Sequence, residues 1–128
     1  MRIVNEALPW EKLRGQTLLV TGASGLIGSY LCYAILQLND SYSLNIILLA
    51  MVHNGEKAKN QFGGLLQRSD FKLLVQEAFE PVDYAGSIDY IIHAASPTAG
   101  FNKNPVGVIS ANVLGTDVLL KLAVKKSI

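Results

Sequence analysis

The sequence predicts a doubly wound α/β fold, a parallel sheet with helices on both faces. Three observations carry that prediction. Strand-like apolar runs alternate with helix-like segments along the 128 residues, which is the pattern of repeated strand–crossover–strand units. The runs are continuously apolar instead of alternating, as in strands buried on both faces, and half of all residues are hydrophobic while only 16% are charged. Finally, a glycine-spaced stretch, Thr21-Gly22-Ala23-Ser24-Gly25-Leu26-Ile27-Gly28, joins the first apolar run to the first helical segment.

Each element follows from its residues. Glu6 to Arg14 reads as a short lead-in helix with Trp10 and Leu13 packing under the sheet. Gly15-Gln16 turns into a first strand, Thr17 to Thr21. The first helix is expected from Leu26 to about Leu38, with Leu31, Ile35 and Leu38 at helical spacing and Asn39-Asp40-Ser41 ending it. Asn45 to Val52 is a second, fully buried strand. The loop His53-Asn54-Gly55 leads into a helix from Glu56 to about Phe62, stopped by Gly63-Gly64. Leu65 to Asp70 is connector, and Phe71 to Gln76 is the third strand. Glu77 to Ala85 is a turn with room for one helical turn. Asp89 to His93 is the fourth strand, followed by a small-residue loop from Ala94 to Lys103. Asn104 as N-cap and Pro105 at the first helical position open the last helix. It is expected to reach about Lys125, roughly 30 Å at 1.5 Å per residue. Ile109, Val113, Thr116, Leu120 and Ala123 are expected to form its buried stripe, and Lys125-Lys126 suit its C-terminal dipole.

Right-handed crossovers turn this order into a parallel sheet with spatial order 3-2-1-4. Strands 1 and 4 then flank a crevice at the topological switch point, where ligands bind in open α/β sheets. The glycine turn and the Ala94 to Lys103 loop both fall there. Gly22 allows the sharp turn, Gly25 lets phosphates approach bare backbone, and Gly28 lets the helix pack closely. The N–H groups around Leu26 and Ile27 face the crevice with the helix dipole behind them, an arrangement suited to a dinucleotide pyrophosphate. No Gly-Lys-Ser/Thr follows, so this is not a P-loop.

Other classes are set aside on composition. A net charge of +1 gives no electrostatic case for nucleic acid or an anionic membrane. The longest unbroken apolar runs, such as Ile46 to Val52, have seven residues, far short of a span, and the N-terminus has no signal-peptide architecture. One cysteine, Cys32, excludes an internal disulfide and fits a reducing cytoplasm. Its place inside the first helix makes it a packing residue. No metal site is read from the sequence.

Taken together, these residues resemble the extended short-chain dehydrogenase/reductases, the NAD-dependent epimerase/dehydratases of nucleotide sugars. Thr21 to Gly28 is similar to the family's T-G-x-x-G-x-x-G turn. Asp89-Tyr90-Ile91-Ile92-His93-Ala94-Ala95-Ser96 resembles its fourth-strand motif. Asn104-Pro105 and Asn112-Val113-Leu114-Gly115-Thr116, with Leu119-Leu120, resemble its next helix, and Gln76-Glu77 resembles the place where an Asp meets adenine. The resemblance covers about Thr17 to Ala123 and implies a Rossmann-type domain holding NAD, with NADP possible. It implies that Gly22, Ser24, Gly25 and Gly28, with the backbone of Leu26 and Ile27, hold the pyrophosphate. Glu77 and the Ala78 backbone take the adenine side. Ala94 and Ala95 let the ribose pass, Ser96 and Thr98 lie near the nicotinamide or sugar, and Asn112 faces the site. His93 reads as a core histidine bonded to backbone, in preference to a catalytic one. The implied chemistry is transient oxidation of a sugar hydroxyl, elimination or inversion through a keto-sugar, and return of the hydride.

Two departures stand out. The end of strand 2, Leu49-Ala50-Met51-Val52-His53-Asn54, has no ribose-binding carboxylate. His53 and Lys57 are its only substitutes, so the choice between NAD and NADP stays open with a lean to NAD. No Tyr has Lys four residues on, whereas the family's chemistry uses Ser/Thr with Tyr-x-x-x-Lys after strands 5 and 6. The chain is therefore expected to be the N-terminal part, residues 1–128, of a longer dinucleotide-binding domain, with later strands and the substrate lobe absent. It is expected to be inactive alone and to self-associate or dimerise through the unpaired edge of strand 4. The nucleotide sugar would belong to the full-length protein, with dTDP-glucose 4,6-dehydratases and UDP-glucuronate decarboxylases equally open. Alternatives are an NADP-dependent carbonyl reductase of the same superfamily and a non-catalytic dinucleotide module. A methyltransferase would want an acid after strand 2 and would leave Asn104 to Thr116 unexplained.

Overall fold

Strands that are apolar along their whole length can only be satisfied inside a sheet covered on both sides, and the computed structural model, which describes residues 2–96 and 104–128, has that layout. β1 (Thr17–Thr21), β2 (Ile47–Val52), β3 (Phe71–Val75) and β4 (Tyr90–His93) form one parallel sheet in the order β3-β2-β1-β4. Leu19 of β1 pairs in register with Leu49 of β2 and Ile91 of β4. Helix α1 (Leu26–Tyr42) follows β1 and α2 (Gly55–Phe62) follows β2. The last helix, α3, spans Pro105–Lys126.

Successive strand residues point to opposite faces, and the core divides accordingly. Leu18, Val20, Leu48, Ala50 and Val52 pack with Cys32, Ile35 and Leu36 of α1 and Ala58 and Phe62 of α2. Leu19, Leu49, Met51 and Leu74 pack with Leu119 of α3 on the other face. β1 is buried at every residue, whereas β4 is half-buried or exposed along its length. The Asp89 carboxylate accepts the Thr17 N–H at 2.7 Å, which pins the start of β4 to the start of β1.

Several elements differ from the expectation. In place of one lead-in helix there are two short 3-10 turns, Ile3–Asn5 and Trp10–Leu13, separated around Pro9, which has no N–H to continue a helix. Trp10 and Leu13 do pack against the core. α1 runs to Tyr42, past the expected end at Leu38. Asn39 does not stop it because its side chain is used in tertiary bonds: Nδ2 donates to the Ile46 carbonyl at 2.8 Å and to Asp70 at 2.9 Å, and Oδ1 accepts the Ile46 N–H. β2 starts two residues later than expected because that Ile46 N–H is already taken and Asn45 has a positive φ of 55°. Gly63 ends α2, yet the chain continues as a 3-10 turn, Gly63–Gln67, that packs Leu65 and Leu66 on the core. β3 ends at Val75 and no helical turn forms over 77–85.

α3 starts where expected, with Asn104 Oδ1 accepting the Gly107 N–H at 2.9 Å. Its interior does not follow the expectation. Ser110–Leu114 is a π-helical turn, and the residues that bury are Val108, Gly115 and Leu119. Ile109, Val113 and Leu120, placed in the buried stripe from periodicity, are exposed. The helix is apolar nearly all round, so spacing alone does not select the face that meets the sheet. For the same reason α3 has the length and mean hydropathy (1.5 over its most apolar stretch) of a membrane-crossing helix. The count of unbroken apolar runs passes over this, because single polar residues interrupt it. The property is one of composition, and α3 packs Leu119 onto the sheet.

Candidate functional site

β1 ends in Thr21, and the turn beyond it is built by close approach. Gly22 has φ 63°, a left-handed conformation that only glycine adopts freely. A methyl group on it would lie 2.7 Å from the Ala94 carbonyl and from the Ala95 N and Cα. The turn after β1 and the end of β4 therefore touch backbone to backbone. A methyl on Gly28 would collide with the Gly22 carbonyl, which is why α1 starts so near the strand. The Gly25 N–H donates to the Gly22 carbonyl at 3.0 Å, and the Ala23 N–H donates to the Met51 carbonyl at 3.1 Å, tying the turn to the end of β2.

Among the described residues no side chain caps the first turn of α1, and no acidic residue lies within it. Its first two residues, Leu26 and Ile27, are 77% and 69% exposed. A 17-residue helix whose N-terminal amides have no capping side chain among the described residues holds its positive dipole end open for an anion.

Thr21 was legible in the sequence only as the first letter of the glycine motif. In the structure it is fully buried, and its Oγ1 accepts the Ala95 N–H at 3.1 Å. The same oxygen lies 2.6 Å from His93 Nδ1. Partial burial lowers the His93 pKa below the ordinary histidine value. The Thr21 hydroxyl and the His93 ring share one hydrogen bond, whose direction follows the ring tautomer. His93 thus corrects the expectation of a core histidine bonded to backbone. It stands at the exposed edge of β4 and bonds a side chain. A polar residue closing the apolar run Leu18-Leu19-Val20 just before the glycine turn is the signal that could have singled out Thr21.

Between these elements lies a cleft of about 820 Å³, within the size range of small-molecule and cofactor sites. Gly22, Ser24 and Gly25 form one side and Ala94, Ala95 and Ser96 the other. His53 and Lys57 close the β2 end, and Glu77 and Ala78 the β3 end. The structure therefore brings ten of the residues singled out from sequence to one cleft. Leu26, Ile27 and Gly28 belong to the helix start directly behind Gly25. Asn112 is not among the lining residues. It sits exposed in the π turn, while Gly107, Ser110 and Ala111 face the cleft from α3. The extra residue of that turn shifts the helical phase, and a pattern drawn with 3.6 residues per turn cannot foresee it. Thr98 lies outside the described residues. Gln76 and Phe79 also line the cleft. Lys57, which lines it, follows the cap of α2: Asn54 Oδ1 accepts the Lys57 N–H at 3.0 Å.

Comparison with known proteins points the same way. The model of the NAD dependent epimerase/dehydratase family matches residues 18–128. UDP-glucuronic acid decarboxylase 2 of Arabidopsis thaliana is 28% identical over 114 residues, 88% of this chain and 24% of that protein. The UDP-glucuronic acid 4-epimerase of Bacillus cereus, solved with NAD, superposes with a TM-score of 0.67 at 26% identity, over 84% of this chain and 35% of the epimerase. The yeast methylglyoxal/isovaleraldehyde reductase, solved with NADPH, superposes with a TM-score of 0.67 at 18% identity, over 87% of this chain and 33% of the reductase. The chain thus spans about a quarter of the decarboxylase and a third of the two solved structures.

Proposed function

The chain belongs to the NAD-dependent epimerase/dehydratase family, and from that premise we propose that its cleft holds NAD, with NADP as the alternative guest, as the cofactor-binding part of an enzyme acting on nucleotide sugars. One observation carries the reading. The uncapped start of α1 and the backbone contact of Gly22 with Ala94 and Ala95 leave bare amides and no side-chain bulk where a pyrophosphate would lie. When bound, the nicotinamide supplies a hydride acceptor for a sugar hydroxyl and a donor for its return. The residues here would do the holding. Gly22, Ser24 and Gly25 would receive the pyrophosphate, Glu77 and Ala78 the adenine, and Ala94, Ala95 and Ser96 the ribose and nicotinamide side.

Calorimetric titration with NAD and NADP tests this. NAD binding that is lost on Gly22→Val is the expected result, and failure of both dinucleotides to bind would contradict it. Leu49 to Asn54 at the end of β2 has no carboxylate, and His53 and Lys57 line the cleft there, so a second reading, an NADP-dependent reductase of the same superfamily, is favoured if NADP binds better and Lys57→Glu reverses the preference.

The reaction itself is assigned to residues outside this stretch, because none of its tyrosines has a lysine four residues on. The 128 residues alone are expected to give no conversion of UDP-glucuronate or dTDP-glucose, and turnover by the pure chain would overturn that assignment. The buried Cys32 supports a reducing, cytoplasmic setting. The half-open edge at β4, with Tyr90 exposed, and the exposed Ile109 and Val113 of α3 support self-association. A monomer by light scattering at high concentration would count against it.

A further inference from the structure

Resting on the dinucleotide reading, we propose that Gln76 is a positioning residue, whose side-chain amide holds the 77–83 loop in the shape that presents Glu77, Ala78 and Phe79 to the adenine end of the cleft.

The loop needs such support. It has no regular secondary structure, and it is a thin wall with space on both sides. Glu77, Ala78 and Phe79 line the dinucleotide cleft, while Glu80, Pro81 and Asp83 line a neighbouring cavity of about 710 Å³. Gln76 borders both spaces. Pro81 has no N–H to contribute. Within the loop one backbone bond, the Glu80 N–H to the Glu77 carbonyl at 3.1 Å, holds a turn.

Gln76 supplies the rest. Its own N–H donates to the Val52 carbonyl at 2.9 Å, so the residue is fixed to the sheet. Its Nε2 group donates towards the carbonyls of Glu80 and Pro81, each at 3.2 Å, and more distantly to that of Glu77 at 3.4 Å. Its Oε1 accepts the Asp83 N–H at 3.1 Å. One amide therefore grips the loop near both ends, with donor and acceptor each matched to what they face. A carboxylate of the same shape would turn an oxygen towards three carbonyls. A methionine would fill the volume and make none of the bonds.

The test compares Q76E and Q76M with the parent chain by amide hydrogen exchange and by titration with AMP, nicotinamide mononucleotide and NAD. In either variant the hydrogen-bonded amides of the loop, Glu80 and Asp83, are expected to exchange roughly tenfold faster, and AMP and NAD to bind roughly tenfold more weakly. Nicotinamide mononucleotide, which does not reach that wall, should change by less than about twofold. Unchanged loop exchange would overturn the proposal, because direct contact of Gln76 with the ligand would weaken binding without loosening the free loop. Equal loss of all three ligands, with exchange raised throughout the chain, would also overturn it by showing a merely structural role. If the parent chain binds neither AMP nor NAD, the dinucleotide reading fails and the adenine-positioning role with it; loop exchange then separates a lost ligand from a lost clamp.

Discussion

Alanine at Gly22 tests the central contact of the fold. Two separate penalties fall on it. A residue with a Cβ at φ 63° is strained by about 1–2 kcal/mol. Its methyl would also lie 2.7 Å from three backbone atoms of Ala94 and Ala95, and relieving such overlap costs about 1–3 kcal/mol. The sum is about 2–5 kcal/mol, a large part of the roughly 5–15 kcal/mol that stabilises a typical domain. Gly15 provides the control. Its φ is 68°, and a methyl there meets open space, so Gly15→Ala should show the backbone strain alone. Urea unfolding followed by far-ultraviolet circular dichroism measures both. Gly22→Ala should be less stable than Gly15→Ala by about 1–3 kcal/mol. Equal effects of the two substitutions would refute the close approach of the glycine turn to β4.

Three further outcomes follow from named groups. The Arg68 guanidinium, with help from Asn39, holds the Asp70 carboxyl below its ordinary value. A depressed folded pKa gives stability that is complete above the unfolded value of about 3.9 and disappears as pH falls through the lower folded value. Asp70→Asn should thus cost about 1–2 kcal/mol at pH 7 and progressively less in acid; parallel stability curves for variant and parent would count against the pairing. Burial pushes the Cys32 thiol up to about 12, so native protein should resist an aromatic disulfide reagent until it unfolds, and stoichiometric labelling within minutes would contradict that. Asn104→Ala should lower stability by about 1 kcal/mol in thermal melts through loss of the α3 cap, whereas an unchanged melting temperature would show that the cap contributes nothing.

Strand identity and order were legible because continuous apolar runs bounded by turn residues have few other uses. The 3-2-1-4 topology followed from chain order, and the structure has it. The glycine turn was legible from spacing, since three glycines at that interval suit both a left-handed turn and close packing. Element ends were less legible. Asn39 reads locally as a helix stop, but bonds to Ile46 and Asp70 from other elements outweigh that tendency. The buried face of α3 was not legible, because its apolar residues circle the helix and the π turn breaks the phase. Asn112 lies within that turn and is exposed, while Ser110 at its start lines the cleft. The partners of Thr21 are made across the fold, and those of Gln76 lie in an irregular loop whose shape no periodicity announces.

The most direct test of the account is backbone amide chemical-shift mapping of the chain titrated with NAD. The account predicts that shifts concentrate at Gly22 to Gly28, Glu77 and Ala78, and Ala94 to Ser96, and saturate together with a single affinity. Shifts confined to other surfaces, or none at these three segments at saturating NAD, would contradict it.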